Sequence, residues 1–359
     1  MNRDNICPHF LKNCGGCAHW NIDYHAEVQL KKDHLKSKLN SAIEIRVKHP
    51  STFQLRTRFD FTITDQKMGL YSKDRELIDL NSCDILHPEL EKAFLNLREF
   101  IAENPFGISK GSLRIRVNHV FDKWGLWIDF SNLDIKRLLE EKILLTKLSH
   151  QFIIEMGQKK KRLDLNSLDK DRLKLADPQP ENWFRTLGEE LLCSISSFTQ
   201  PAPETADLLT EEILKWVSAI KPQRVIEYGC GIGQYSLPVL KLGLSLDIFE
   251  NDLMAIEYMK LNTQKYNSKL TINDLSRVDV KHEKTIALVN PPRSGLQKFT
   301  QNLIDSNASQ IIYISCFPES LASDLMVLSP YFKLKDIVMV DQFPRTQHYE
   351  AAVLLERVQ

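Results

Sequence analysis

Residues 224–234 read RVIEYGCGIGQ, a short apolar run followed directly by glycines at alternate positions. Glycines at this point let the backbone turn tightly and approach a ligand at the carboxyl end of a strand. A second apolar run at 245–249 ends at Glu250, whose carboxylate can accept hydrogen bonds from both hydroxyls of a ribose. The glycine-rich loop and Glu250 together predict a binding crevice for a ribose-containing ligand. The alternatives are that the glycines form only a tight turn and that Glu250 is a solvated strand end.

Strand and helix patterns alternate through the rest of the second half, which predicts a mainly parallel, doubly wound α/β sheet. Apolar runs for further strands lie at 284–289, 310–314, 335–340 and 351–355. Residues 341–350 are too few for a crossover helix, so we expect the last two strands to be antiparallel. A parallel sheet closed by such a hairpin resembles the Rossmann-like fold of class I S-adenosylmethionine-dependent methyltransferases.

The first half of the chain has the pattern of a small α+β domain with an antiparallel sheet. Apolar and polar residues alternate over 52–64 and 112–130, as in strands that bury one face. Residues 88–104 place apolar side chains on one helical face, and Pro88 suits the first turn of that helix. Residues 24–41 predict an exposed amphipathic helix ahead of these strands.

The composition is that of an ordinary soluble globular protein. The 359 residues are 43% hydrophobic and 26% charged, which excludes a disordered, collagenous or coiled-coil chain. No run approaches the roughly 20 apolar residues that span a bilayer, and the N-terminus lacks the apolar core of a secretory signal. We therefore expect a cytoplasmic protein with no membrane partner. Because 47 basic residues balance 47 acidic ones, any nucleic-acid surface must be local.

Three of the seven cysteines lie close together near the N-terminus, at Cys7, Cys14 and Cys17, and Cys83 follows alone. Four thiolates can close a structural zinc site or hold a four-iron, four-sulfur cluster. Zinc sites usually pair two CxxC knuckles, and only Cys14 and Cys17 form one here. Three near cysteines and one distant one favour the iron–sulfur cluster, with zinc or unliganded thiols as alternatives.

Three more segments end strands at the same edge of the predicted sheet. Asn290, in the sequence NPPRSG, would project into the crevice. Cys316 ends an apolar run where a helix at 318–328 begins, and a helix N-terminus favours the thiolate of a nucleophile. His348 and Glu350 are candidate proton acceptors. The alternatives are a structural turn, a buried core cysteine and ordinary loop polarity.

In this order the segments resemble the RNA uracil-C5 methyltransferase family, which makes 5-methyluridine in ribosomal and transfer RNA. CPHF at 7–10 with CGGC at 14–17 looks like the iron–sulfur opening of that family. FTQ at 198–200 is similar to its cofactor-binding motif. SC at 315–316 resembles the segment that carries its nucleophile, and residues 343–350 resemble the segment that carries its general base. The resemblance implies that Cys316 adds to C6 of uracil and that Glu350 removes the C5 proton.

The resemblance also implies S-adenosyl-L-methionine and a 4Fe-4S cluster as cofactors. The expected cluster ligands are Cys7, Cys14, Cys17 and Cys83, and the expected S-adenosylmethionine contacts are Gln200, Gly229, Gln234, Glu250, Asp274 and Asn290. Two departures stand out. Glu227-Tyr228-Gly229 replaces the usual Asp, aliphatic and aromatic residues, so a stacking contact is missing at Gly229. Asn290 replaces the usual Asp before Pro-Pro-Arg.

RNA is the expected partner, with no obligate protein partner. We favour 23S rRNA over tRNA, because the shorter family members that keep the cluster but lack an N-terminal β-barrel act on 23S rRNA. Arginines on polar strand faces could grip phosphates together with the basic run at 159–162: Arg56, Arg58, Arg114 and Arg116. Solvated strand faces are the alternative. An iron–sulfur RNA-binding protein with an inactive methyltransferase domain is a rival interpretation that the retained site residues disfavour.

We interpret the polar stretch 157–190 as a domain junction. The predicted organisation is then an iron–sulfur segment at 1–50, a central α+β RNA-binding domain at 51–185 and a catalytic methyltransferase domain at 186–359.

Overall fold

A computed structural model describes residues 6–64, 67–104, 110–129, 135–157, 160–169, 171–273 and 285–358. The chain forms two compact units that interleave along the sequence. The first unit comprises Met1–Asn21, Thr52–Phe184 and Leu192–Pro203, and the second comprises Ile22–Ser51, Arg185–Leu191 and Glu204–Gln359. Within the described ranges, no helix is long and apolar enough to cross a membrane.

In chain order the elements are α1 (Tyr24–Leu39), β1 (Ile45–Lys48), β2 (Arg58–Thr64), β3 (Lys67–Tyr71), β4 (Leu77–Asp79), α2 (Pro88–Glu103), β5 (Lys110–Val117), β6 (Trp124–Asp129), α3 (Ile135–Glu140), α4 (Lys142–Ser149), β7 (Phe152–Met156), β8 (Lys161–Asp169), β9 (Arg172–Ala176), β10 (Glu181–Thr186), β11 (Glu189–Cys193), α5 (Pro203–Ile220), β12 (Arg224–Tyr228), α6 (Ser236–Lys241), β13 (Ser245–Phe249), α7 (Leu253–Asn262), β14 (Leu270–Asn273), β15 (Thr285–Val289), α8 (Phe299–Asp305), β16 (Gln310–Ser315), α9 (Pro318–Leu328), β17 (Phe332–Val340) and β18 (Glu350–Arg357).

The first unit is built on a sheet in the order β4-β3-β2-β5-β6-β7-β8-β9. Its strand pairs are antiparallel except for β6 and β7. Alternate residues of β2 are buried, and Phe59 and Phe61 pack their rings against Phe94 of α2 at 5.9 and 5.3 Å between centroids. The predicted α+β pattern and the helix beginning at Pro88 are confirmed in this unit.

The second unit is a sheet in the order β1-β17-β18-β16-β15-β12-β13-β14, flanked by helices. The pairs are parallel except where β18 runs antiparallel to β16 and β17, as the short link at 341–350 predicts. All five residues of β15 are buried, as expected of a parallel strand covered on both faces. The α/β fold predicted for the second half is therefore confirmed.

The structure divides the chain differently from the three consecutive segments that the sequence predicts. Residues 22–51 belong to the second unit, because β1 adds to the edge of its sheet in a parallel ladder with β17. The polar stretch at 157–190 is not an open junction, since it forms most of β8 to β11. Its polar residues alternate with buried ones such as Leu163 and Trp183, a strand pattern that the charged run at 159–162 obscured.

Candidate active site

The glycine-rich loop after β12 depends on its glycines for a close backbone contact. Gly229, Gly231 and Gly233 all have positive φ angles, of 74°, 55° and 94°. The amide of Gly229 donates to the carbonyl of Phe249, and a Cβ atom at 229 would lie only 2.6 Å from the carbonyl oxygen of Asn290. The loop therefore brings the carboxyl ends of β12, β13 and β15 together around one crevice.

Glu250 closes one side of this crevice. Its carboxylate accepts hydrogen bonds from the amides of Gly231, Asn251 and Asp252 at 2.9, 2.7 and 3.0 Å. These bonds hold the acid against the glycine loop, at the strand end that the sequence predicts.

In and beside the glycine-rich loop, three buried polar atoms have no hydrogen-bond partner among the described residues: Oε1 of Glu227, the hydroxyl of Tyr228 and Nε2 of Gln234. Glu227 accepts from the hydroxyl of Ser236 at 2.6 Å through its other oxygen. Burial raises the pKa of Glu227 to about 7, and the charge of Glu250 contributes in the same direction. Unsatisfied buried groups are costly, so the crevice suits a polar ligand that would satisfy them.

Tyr228 lies in the sheet core, stacked on Phe249 at 4.9 Å between ring centroids. It is 4% exposed, so it does not replace the aromatic contact that is missing at Gly229.

Cys316 and Glu350 are brought together by strand register. Ser315 pairs with Ala351 across β16 and β18, so the next positions along the two strands, Cys316 and Glu350, are neighbours. Cys316 is half-buried, and burial raises the pKa of its thiol, as does the charge of Glu350. This direction is opposite to the expectation from the helix N-terminus alone, because burial and the neighbouring carboxylate both disfavour a thiolate.

Arg293 is the residue that the sequence reasoning missed. The positive charge of Arg293 lowers the pKa of the Cys316 thiol against the larger effect of burial, and it also lowers the pKa of Glu350. Even so, burial raises the pKa of Glu350 to about 8. The sequence does offer a signal for this residue, because Arg293 is a cation only three positions after Asn290, which is predicted to lie in the crevice. The cation, thiol and carboxyl together form a site for adding a nucleophile and moving a proton.

The loop that carries Arg293 is fixed by Asp324 of α9. Its carboxylate accepts from the amide of Leu296 at 2.8 Å and from the hydroxyl of Tyr313 at 2.5 Å. Gly295 allows this approach, since a Cβ atom there would lie 2.6 Å from the same carboxylate oxygen.

The other candidate base, His348, is exposed and its ring lies 6.3 Å from that of Phe343. Glu350, by contrast, is 4% exposed and lies close enough to Cys316 to raise the pKa of the thiol and close enough to Arg293 to be affected by its charge. Asp274, the predicted adenine-side contact, lies outside the described residues.

Gln200 is buried in the first unit, at the end of a segment held by arginines. Arg58 and Arg114 donate to the carbonyls of Thr199 and Ser196, each at 2.7 Å. Arg116 is 1% exposed and donates to the carbonyl of Ser194 and the hydroxyl of Thr199, at 3.0 and 2.8 Å.

These contacts correct the prediction that the strand arginines grip phosphates, because three of them are committed to the backbone around residues 194–199. In the basic run, Lys159 lies outside the described residues. Lys161 pairs with Asp177, and Arg162 lies 3.6 Å from Glu181.

The four cysteines predicted to hold the cluster all belong to the first unit. Cys7, Cys14 and Cys83 are buried, Cys17 is half-buried, and none forms a disulfide. Cys14 and Cys83 share one hydrophobic core, against which Cys17 packs. Burial is the main cause that raises the pKa of Cys83, and the thiols of Cys17 and Cys7 contribute in the same direction. Among the described residues, no group of three or more His, Cys, Asp or Glu side chains is arranged to hold a metal ion.

Strand order and crevice define the class of protein. The strands β14, β13, β12, β15 and β16 form a parallel series, and the antiparallel β18 lies between β16 and β17. This order is that of class I S-adenosylmethionine-dependent methyltransferases. The glycine loop, Glu250 and the reactive residues all lie at or beside the carboxyl ends of parallel strands, where such sheets bind ligands.

Comparison with known proteins narrows the class to a family. Residues 246–358 match the tRNA (uracil-5-)-methyltransferase family. A protein of Bdellovibrio bacteriovorus, named as an uncharacterized RNA methyltransferase, is 34% identical over 98% of this chain and 95% of its own length. The chain therefore belongs to the RNA uracil-C5 methyltransferase family of enzymes.

More distant relatives bear two kinds of name. The tRNA (uracil(54)-C(5))-methyltransferase of Pyrococcus furiosus is 25% identical, over 98% of this chain and 85% of its own. The 23S rRNA (uracil(1939)-C(5))-methyltransferase of Shewanella halifaxensis is also 25% identical, over 98% of this chain and 81% of its own.

A solved structure has the same fold over almost the whole chain. The tRNA (uracil-54, C5)-methyltransferase of Pyrococcus abyssi, in complex with S-adenosyl-L-homocysteine, has a TM-score of 0.71 at 20% identity. The similarity covers 96% of this chain and 86% of that one.

Proposed function

We propose that this protein methylates C5 of a uridine in 23S rRNA through a covalent bond between Cys316 and C6 of the base. The convergence of Cys316, Arg293 and Glu350 beside the glycine-rich crevice is the observation that carries the proposal. A bound S-adenosylmethionine would supply an electrophilic methyl group.

The residues meet the chemical requirements of that reaction. Uracil C5 is a weak nucleophile, and addition of the Cys316 thiolate at C6 moves electron density onto C5 and O4. Arg293 supports the thiolate by its positive charge. After C5 takes the methyl group, Glu350 accepts the C5 proton. The electrons of the C–H bond then restore the C5–C6 double bond as the C6–S bond breaks. A carboxyl with a pKa of about 8 can hold that proton near neutral pH.

The proposed cofactor contacts are the glycine loop at Gly229, Gln234, Glu250 and Asn290, with Gln200 and Asp274 added by the family resemblance. The unpartnered Oε1 of Glu227 and Nε2 of Gln234 support a polar occupant. Such chemistry needs the target base out of its stack, so we expect an opened RNA loop as substrate.

The mechanism is tested with two variants of the full-length protein. Cys316→Ala should abolish methylation while S-adenosylmethionine still binds, measured by transfer of a labelled methyl group and by calorimetry. Glu350→Gln should accumulate a protein–RNA adduct that survives denaturing electrophoresis. Glu356→Gln is the matched control, because Glu356 lies on the same strand and pairs with the exposed Lys335. Near-normal turnover in Cys316→Ala would show that the covalent mechanism is wrong.

The RNA target is tested separately. We propose 23S rRNA because the four cysteines resemble those of the rRNA-specific members of the family that carry the cluster. Unmodified 23S rRNA and tRNA transcripts are offered in parallel, and 5-methyluridine is mapped by mass spectrometry of nuclease fragments. Methylation of tRNA with none of 23S rRNA would favour the alternative that the Pyrococcus relatives represent by name.

We also propose that Cys7, Cys14, Cys17 and Cys83 hold a 4Fe-4S cluster with a structural role. The support is the resemblance of the segments at 7–10 and 14–17 to the iron–sulfur opening of the family, together with four thiols of the first unit that form no disulfide. The described side chains are not arranged around a metal ion, so the proposal rests on the sequence and not on that geometry. Protein purified without oxygen should contain iron and sulfide, and Cys83→Ser should lose both and unfold more readily. Stoichiometric zinc without iron or sulfide would refute the cluster.

A further inference from the structure

Four buried charged residues join helix α1 to residues 341–349, the segment that leads into Glu350. We call them the α1 clamp: Glu27, Lys31, Asp341 and Arg345. The ammonium of Lys31 lies 2.7 Å from carboxylate oxygens of both Glu27 and Asp341. The guanidinium of Arg345 lies 3.7 Å from Glu27. All four side chains are at most 6% exposed.

The clamp holds backbone as well as side chains. Lys31 donates to the carbonyl of Phe343 at 3.1 Å, and Glu27 accepts from the amide of Arg345 at 2.7 Å. Arg345 has a φ of 68°, which is an unfavourable conformation for a residue with a side chain. Residues 341–349 connect β17 and β18, so these contacts supply order that a strand ladder does not supply there.

Helix α1 also contacts the other end of this segment. Nδ1 of His34 is 2.9 Å from the hydroxyl of Tyr349, the residue directly before Glu350. Tyr24 donates to Asp341 at 2.8 Å. One helix thus holds the connection at its start, its middle and its last residue.

Folding stability does not by itself explain why four charged side chains are buried together here. Removing charges from water is costly, and apolar residues of similar size often stabilise a protein as well or better. Leu35 of α1 is already fully buried in the core of the second unit, which anchors the helix without charges. A buried ionic cluster specifies one geometry, and here the geometry specified is that of the segment leading into Glu350.

We infer that Lys31 and Glu27 are positioning residues for the proton-accepting step, acting through residues 341–349 to aim the carboxylate of Glu350. The inference rests on the proposed covalent mechanism. Cys316 lies directly after β16 and its addition to C6 does not use this segment, whereas resolution of the adduct needs Glu350 placed at the C5 proton. Loosening the clamp should therefore slow resolution more than addition, and a protein–RNA adduct should accumulate.

The experiment compares Lys31→Met with a charge-balanced double variant, Lys31→Met with Asp341→Asn, in the full chain. The double variant leaves Glu27 opposite Arg345, and the amide oxygen introduced at position 341 can still accept from Tyr24. Arg224→Met is the control, because it breaks the 2.8 Å pair with Asp247 at the amino end of β12, away from the crevice. Methyl transfer, denaturation-resistant adduct and thermal unfolding are measured for each protein.

We expect turnover in Lys31→Met to fall about tenfold, which corresponds to an increase of roughly 1.4 kcal/mol in the activation free energy. The amount of protein–RNA adduct at steady state should increase. The double variant should recover most of the thermal stability and keep the raised adduct. Arg224→Met should lose stability without accumulating adduct.

Recovery of normal turnover together with stability in the double variant would overturn the inference, because the clamp would then serve folding only. The inference would also be overturned if Lys31→Met lost turnover but accumulated no more adduct than Arg224→Met does. Glu350→Gln separates the two proposals. If it forms no adduct, the covalent mechanism and the inference both fail; if it forms one and the Lys31 variants do not, only the inference fails.

Discussion

The buried carboxyl of Glu350 makes a quantitative prediction about stability. Burial raises its pKa from an ordinary value of 4.5 to about 8. A tenfold change in a dissociation constant is about 1.4 kcal/mol, so the folded protein disfavours the charged form by about 5 kcal/mol. Because the folded state binds this proton more tightly than the unfolded state, the contribution is complete below pH 4.5 and is lost as pH rises through about 8.

The perturbation is Glu350→Gln, a neutral side chain of the same shape. Of the full loss, about 3 kcal/mol falls between pH 6 and pH 9 by the same linkage relation. The free energy of unfolding of the native protein should therefore fall by about 3 kcal/mol more over this interval than that of the variant. Urea denaturation, followed by circular dichroism at both pH values, measures the difference.

Glu356→Gln serves as the control. The side chain of Glu356 is 45% exposed near the far end of β18, so this variant should keep the pH dependence of the native protein. Parallel stability curves for the native protein and Glu350→Gln would refute a raised pKa at Glu350. In the proposed mechanism the same ionisation governs catalysis, because Glu350 must be charged to accept the C5 proton. Turnover should accordingly rise as pH increases through about 8.

Three further outcomes are expected. Arg293→Met removes the cation beside Cys316, so the thiol pKa should rise and its alkylation by iodoacetamide at pH 8 should slow, measured by peptide mass spectrometry. Arg116→Met leaves buried carbonyls unpaired, and the free energy of unfolding should fall by about 3 kcal/mol in urea titrations. Gly229→Ala should abolish S-adenosylmethionine binding, measured by calorimetry, because the added Cβ atom would collide with the carbonyl oxygen of Asn290. The Cβ atom added in Gly231→Ala would meet no atom within 4 Å, so this variant should lower the free energy of unfolding only by the backbone strain, about 1–2 kcal/mol.

Sequence reasoning located the central strands well because buried parallel strands are short, continuous apolar runs. The predicted run at 224–228 is β12 without change, and 310–314 differs from β16 by one residue. Strand β1 was not predicted, since Ile45–Lys48 contains two cations in four residues. Its partner β17 lies almost 300 residues later, and no local pattern specifies such a pairing.

Charged residues explain the other differences between prediction and structure. Alternation correctly placed Arg114 and Arg116 on one face of β5, but it does not say whether water, RNA or the protein's own backbone covers that face. The prediction of an exposed helix at 24–41 fails in part for the same reason. Glu27 and Lys31 look like a solvated pair one turn apart, whereas both are buried against Asp341 and Arg345.

The interleaving of the two units has a practical consequence for dissecting this enzyme. A fragment that starts near residue 186 would contain the crevice, Cys316 and Glu350 but would lack β1. Strand β17 would then become an edge strand with unpaired backbone N–H and C=O groups at residues 337–340, whose side chains are apolar and buried in the native protein. Such an exposed edge promotes intermolecular strand addition. Fragment boundaries drawn from the linear sequence should consequently give aggregating material, whereas a circular permutant or a fusion that retains residues 22–51 should remain monomeric.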